Sequence, residues 1–232
     1  MKSELKLLIA AAAICAPVAS QAALIARVSD GTNTLICADG NAACDLASGP
    51  AGAGVVALVG FVQSVFVSDI GTATPILAYG NMDITWNITP PGPQAATTYT
   101  LELSQDLNTP LPISWVGKAD GNQFPGVTTS FINYAGSAAF LNDYGTVCDG
   151  GSSVNPSGAG AVLPVQSFSL ACSGTYSGTN PFWLTQKITI TTTGGQSTGD
   201  AIIARVPEPT TLSLLGLGLL GMGFGMRRRK QS

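Results

Sequence analysis

A strict period-two alternation of apolar and polar side chains constrains this chain more than any other feature. Met82, Ile84, Trp86 and Ile88 are apolar, and Asp83, Thr85, Asn87 and Thr89 alternate with them. Successive side chains of a strand point to opposite faces, so the run predicts a strand with one buried and one wet face. Tyr99, Leu101 and Leu103 repeat the pattern against Thr100, Glu102 and Ser104. Between the two runs lies Pro90-Pro91-Gly92-Pro93-Gln94, which cannot continue a strand because proline lacks the N–H that a ladder needs. Two strands joined by so short a loop are expected as antiparallel neighbours.

Further strands are predicted at 23–29, 34–37, 55–67, 113–117, 127–134, 165–171, 184–192 and 201–206. The 55–67 run is apolar on both faces and reads as a central strand. The chain carries 28 Gly and 14 Pro, the two poorest helix formers, and no amphipathic helical period interrupts the series. Many short strands separated by turn residues predict an all-β fold, an antiparallel β-sandwich or jelly-roll-like domain. The Gly/Ser-rich stretch 149–160 reads as a mobile surface loop, and 194–199 as a short turn or linker.

The two ends of the chain differ from its middle. Lys2 and Lys6 precede an apolar stretch, 7–18, and Ser20-Gln21-Ala22 places small residues at the −3 and −1 positions. This predicts a secretory signal helix over residues 1–22, cleaved after Ala22. At the other end, residues 211–226 form an uncharged apolar run, expected as a transmembrane helix. Sixteen residues at a helical rise reach about 24 Å, a little short of a bilayer core of about 30 Å. Arg227, Arg228, Arg229 and Lys230 follow, and such a cluster holds its end in the cytoplasm. The segment 23–205 is therefore expected outside the inner membrane, with a span that halts its export.

Immediately before that span stands Val206-Pro207-Glu208-Pro209. Two prolines keep this segment extended and unable to join a helix or sheet interior. A Val-Pro-Glu-Pro motif, a glycine-rich apolar span and a terminal arginine cluster together resemble the sorting region of PEP-CTERM proteins, over residues 206–230. The resemblance implies that Pro207, Glu208 and Pro209 form the motif read by an exosortase, a membrane transpeptidase-like enzyme of Gram-negative bacteria. It also implies a transient inner-membrane anchor, then release to the cell surface or extracellular matrix, in company with exopolysaccharide and biofilm or floc formation. The expected partners are the secretion translocon, the exosortase and exopolysaccharide.

Within 23–209 four cations face twelve carboxylates, a net charge of about −8. Such a surface repels a phosphate backbone, so nucleic acid is not an expected partner. The exported part keeps Cys37, Cys44, Cys148 and Cys172, and an even count in an oxidising compartment predicts disulfides. Three connectivities are possible; closeness in sequence favours Cys37–Cys44 with Cys148–Cys172. Zinc is disfavoured, because short Cys-x-x-Cys spacing is missing and the chain has no histidine.

The same lack of histidine removes Ser-His and Cys-His nucleophiles and His-Glu zinc sites. No phosphate-binding glycine loop or nucleophile elbow is present. What remains for catalysis is a carboxylate pair among Asp69, Asp83, Glu102, Asp106, Asp143 and Asp149, and a non-enzyme is the expectation. No cofactor is expected apart from calcium, for which Asp39-Gly40-Asn41 and Asp120-Gly121-Asn122 are oxygen-rich turns without the ligand series of a calcium loop. A glycan-binding module is the alternative to a structural or adhesive role. Trp115 and Trp183 are its candidate aromatic platform, although a place in the core is the commoner fate of such residues; Trp86, on the apolar side of its strand, is expected inside.

Overall fold

The pleat predicted from the alternating runs is present, in a computed structural model that describes residues 24–41, 43–45, 55–56, 70–72, 81–90, 95–109, 111–156 and 165–206. The predicted signal helix with its cleavage site at Ala22, the span at 211–226 and the basic cluster all lie outside the described residues. Among those described, the elements are all strands: β1 (Leu24–Ser29), β2 (Thr34–Ala38), β3 (Val55–Val56), β4 (Ile70–Thr72), β5 (Asn81–Ile88), β6 (Thr97–Leu107), β7 (Ile113–Gln123), β8 (Val127–Gly136), β9 (Gly145–Asn155), β10 (Gln166–Tyr176), β11 (Phe182–Thr192) and β12 (Ser197–Val206).

Two antiparallel sheets form the sandwich. One has six strands in the order β2-β1-β6-β11-β8-β9, the other four in the order β10-β7-β12-β5, and β3 pairs with β4 apart from both. The chain changes sheet at nearly every connection from β5 onward. Their inner faces share one hydrophobic core, to which Met82, Ile84, Trp86 and Ile88 contribute from one sheet and Tyr99, Leu101, Leu103 and Ile188 from the other.

The sandwich corrects several expectations. β5 and β6 are not neighbours: they belong to different sheets, so the two alternating runs face each other across the core rather than pairing in a hairpin. Of the expected loop at 149–160, residues 149–155 are strand, since β9 runs through Asn155 and pairs with β8, and 157–160 lie outside the described residues. Its small residues fit an edge strand with little to bury. Asp120-Gly121-Asn122 is not a turn but the end of β7. Only the first two residues of the predicted 55–67 strand are described, as β3. β12 begins at Ser197, inside the segment expected as a turn.

A glycine pair explains one core layer. Trp86, Gly199, Gly121 and Phe168 lie side by side in the register of the four-stranded sheet. With no side chains on the two central strands, the rings at either side lean inward and stack, their centroids 6.3 Å apart. A Cβ on Gly199 would stand 2.3 Å from Trp86 Cζ2, and one on Gly121 2.2 Å from the Thr198 carbonyl oxygen. The indole Nε1 of Trp86 donates to Ser197 Oγ at 3.1 Å, which satisfies its buried N–H.

Both disulfides join the pairs favoured by sequence distance. Cys37–Cys44 closes a loop of 7 residues after β2. Cys148–Cys172, 24 residues apart, links β9 to β10, the edge strands of opposite sheets. There the backbones meet: a Cβ on Gly174 of β10 would lie 1.7 Å from the Val147 carbonyl oxygen of β9. One side of the sandwich is thus closed covalently and by direct backbone contact.

Candidate functional site

The outer face of the six-stranded sheet is the polar surface on which three sequence candidates, Glu102, Asp106 and Trp183, come together. Ladder register puts Asp106 opposite Trp183, Ser104 opposite Thr185 and Glu102 opposite Lys187, with Arg27 beside Glu102 on β1. Further along the same face, one row crosses all six strands with hydroxyl side chains alone: Thr34, Ser29, Thr100, Thr189, Ser130 and Ser152. Thr98 and Thr191 continue it, their hydroxyls 3.0 Å apart.

Part of this face is covered. The connection 137–144 between β8 and β9 folds back over it, with Phe140 in the left-handed region at φ 63°. Such a conformation is uncommon for a bulky residue, and its neighbours hold it. The Phe140 N–H donates to Ser104 Oγ at 3.4 Å, and its carbonyl accepts from the Tyr134 hydroxyl at 3.4 Å. Its ring lies 4.4 Å from the Arg27 guanidinium carbon, a cation–π contact. Beneath it Glu102, only 1% exposed, accepts from Arg27 Nε and, at 2.9 Å, from the Tyr134 hydroxyl. The hydrogen bond to Glu102 raises the pKa of Arg27 against the opposing effect of burial. Burial first, and then the Glu102 carboxylate, push Tyr134 upward. Glu102 is therefore committed to the contacts that hold the lid in place.

The three tryptophans separate clearly. Trp86 is buried, as its strand face required. Trp115 is only 2% exposed and belongs to the core, so the candidate platform at Trp115 is corrected: β7 turns it inward against the opposite sheet. Trp183 alone is partly exposed, on the polar face and next to Asp106.

A second polar cluster lies on the outer face of the four-stranded sheet. Asp83 and Asp200 are in hydrogen-bonding contact there; burial, then the neighbouring carboxyl, push Asp83 up to about 7. Sequence offered Asp83 among scattered acids, but its partner is Asp200, 117 positions on in sequence numbering and next to it only through the β5–β12 pairing. Asp120, in the adjoining strand, is held below the usual carboxylate range by Lys118.

Asp39-Gly40-Asn41 is hydrogen-bonded within its own turn. Asn41 Oδ1 accepts from the Ala43 N–H, and the Gly40 N–H donates to Asp45 Oδ2 at 2.9 Å. Among the described residues, no three metal-ligating carboxylates or cysteines converge.

Of the sorting motif only Val206 is described, as the last residue of β12. It is paired with Ser114 in the sheet, so the ordered strand runs up to Pro207 with no intervening linker. Among the described residues no helix is long and apolar enough to cross a membrane.

Comparison with known proteins bears first on this tail. Residues 205–230 match the family model described as the PEP-CTERM protein-sorting motif. No curated protein sequence matches the chain. Among solved structures, TmCBM61 in complex with β-1,4-galactotriose is 15% identical, over 53% of this chain and 69% of that one, with a TM-score of 0.26. The structure of infectious bursal disease virus Gx strain is 11% identical, over 81% of this chain and 51% of the viral one, with a TM-score of 0.36. Likenesses this distant carry no argument here. The tail does: it is a PEP-CTERM sorting motif, the mark of an exported, membrane-transiting protein sorted by an exosortase.

Proposed function

We propose that the chain is a non-enzymatic surface or extracellular-matrix protein, released from the inner membrane by an exosortase-type enzyme and serving a structural or adhesive role alongside exopolysaccharide. The observation that carries this reading is the sorting motif, joined directly to the last strand of a disulfide-closed sandwich. The translocon and the exosortase are its processing partners, and the membrane is a temporary one. No cofactor is assigned. Intact mass of the native protein tests the reading, comparing wild type with Glu208→Ala in the producing organism. Wild type is expected to lack the span and basic cluster and to end at or beyond Val206, whereas the variant retains both. A wild-type mass that includes residues 211–232 makes the tail a permanent anchor and sinks the proposal.

A second reading, a glycan-binding module, is favoured by the one partly exposed tryptophan standing on a hydroxyl-rich face. Sugars offer an apolar ring face for stacking and hydroxyls for hydrogen bonding, which is what Trp183, Asp106 and the Ser/Thr rows would meet. The processed protein, tested on a glycan array with and without calcium, is expected to bind a neutral polysaccharide and to lose that binding in Trp183→Ala at unchanged thermal stability. Equal binding by the variant removes Trp183 from any such site.

A further inference from the structure

The end of the sandwich at which β12 finishes has a consequence for processing. Val206 pairs with Ser114 at the start of β7, and Tyr176, the last residue of β10, pairs with Ile113. In the other sheet Phe182 pairs with Leu107, and Leu24, where the described chain begins, with Gln105. Both chain ends of the domain therefore leave from one end of the molecule, together with the connections 108–112, 137–144 and 177–181. The turns at 30–33, 124–126 and 193–196 occupy the opposite end.

Side chains tie these connections into one platform. Arg205 Nη1 donates to Thr109 Oγ1 at 3.0 Å. Asn180 Nδ2 donates to Asn108 Oδ1 at 3.2 Å, and Asn180 Oδ1 accepts from the Thr109 N–H at 3.3 Å. Tyr176 closes the 177–181 connection by accepting from the Thr179 N–H and donating to the Thr179 carbonyl, both at 2.9 Å. The exposed groups here are mainly amides and hydroxyls, and Ser177 and Thr179 are both exposed.

Only residues 207–210 separate Val206 from the apolar run that begins at 211. Even fully extended, the chain from 206 to 211 spans no more than about 18 Å. β12 cannot supply slack, because it lies between β7 and β5 and is hydrogen-bonded to both. While the span is in the bilayer, that tether keeps the platform within a side chain or two of the membrane surface, where the motif must be read.

We infer that the platform formed by 108–109, 111–112, 177–181 and the end of β12 is a docking surface for the membrane-embedded processing enzyme, against which the folded domain is seated while its tail is read. This rests on the sorting reading above. A hydrogen-bonding surface whose one charged group, Arg205, is already bonded to Thr109 suits such a partner, since it meets the polar outer side of a membrane enzyme without burying an unpaired charge.

The test uses the full chain in the producing organism and follows tail loss by pulse-chase and intact mass. Four chains are compared, with Thr32→Trp as a fifth, control chain: wild type; Ser177→Trp with Thr179→Trp; wild type with a Gly/Ser linker of about twelve residues between Val206 and Pro207, reaching about 20 Å on average; and the double variant carrying the same linker. The bulky pair is expected to slow tail loss several-fold, and the linker to restore it, because a slack tether delivers the motif without seating the domain. Thr32→Trp, at the opposite end, is expected to process at the wild-type rate and controls for added bulk. Wild-type processing of the bulky pair overturns the inference, and so does a loss that the linker fails to rescue. The wild-type arm alone reports on the sorting proposal: if it keeps its tail, that proposal fails first and the docking surface with it.

Discussion

Glu102 and Asp83 are both carboxylates on the nominally wet side of an alternating strand, yet their surroundings give them opposite consequences. Glu102 is buried under Phe140 and paired with Arg27 and Tyr134. Glu102→Ala removes the acceptor shared by the Arg27 guanidinium and the Tyr134 hydroxyl beneath the lid and is expected to cost about 2–4 kcal/mol. The lower part of that range is favoured because Arg27 keeps 31% of its side chain exposed and rehydrates. Urea unfolding measures it, and a change within the error of the extrapolation would show that the pair holds nothing. Asp83 has no such cation. Its folded pKa of about 7 stands above the ordinary 3.8, so between these values the folded protein holds a proton that the unfolded chain has released. Stability therefore falls as pH rises from about 4 to about 7 and levels off beyond. Asp83→Asn removes this contribution and is expected to melt a few degrees above wild type at about pH 7.5, with the gap closing toward pH 4. The effect is small because Asp83 is only half-buried and water screens the pair. A gap that is constant with pH would mean that Asp83 does not titrate in this window.

At the level of elements, the four-stranded sheet depends on two glycines that strand propensity alone would discourage. Gly199 and Gly121 leave space for Trp86 and Phe168 to meet over the two central strands. Gly199→Ala places a methyl 2.3 Å from the indole and 2.6 Å from the Asp120 carbonyl oxygen, and β12 cannot yield without also moving β5 and β7. Overpacking of this kind costs about 1–3 kcal/mol. Thermal unfolding, with the near-ultraviolet signal of Trp86, is expected to show both lost stability and an altered indole environment. Unchanged spectra and melting would mean that the layer is slack.

Across the whole molecule, the two sheets are joined by the core and by one covalent link. Cys148–Cys172 closes a loop of 24 residues between sheet edges, and the chain-entropy account puts such a link at about 3 kcal/mol. Replacing both cysteines with serine is expected to lower stability by about that amount while keeping the β spectrum, because the backbone contact at Gly174 and the shared core remain. Replacing Cys37 and Cys44 should cost less, since the shorter loop of 7 residues loses less entropy when closed. Equal losses from the two pairs, measured by denaturant unfolding, would contradict the loop-length argument.

Much was legible in the residues themselves. Strand faces at Met82–Ile88 and Tyr99–Leu103, both disulfide pairs and the sorting motif are local patterns, set by side-chain period, by separation in sequence and by the order of residues in a tail. Hairpin partners and contacts between distant residues are not local. That β5 and β6 part company, that Asp83 meets Asp200, that Glu102 is sealed under Phe140 and that Trp115 turns inward while Trp183 stays partly in solvent all follow from which strand lies beside which. The same apolar alternation satisfies either sheet, and only burial of both inner faces against one another selects among the pairings. The sequence by itself determined the all-β character and the C-terminal sorting motif. Tertiary structure alone decided on which polar face Trp183 and the hydroxyl rows stand and at which end of the sandwich β12 finishes.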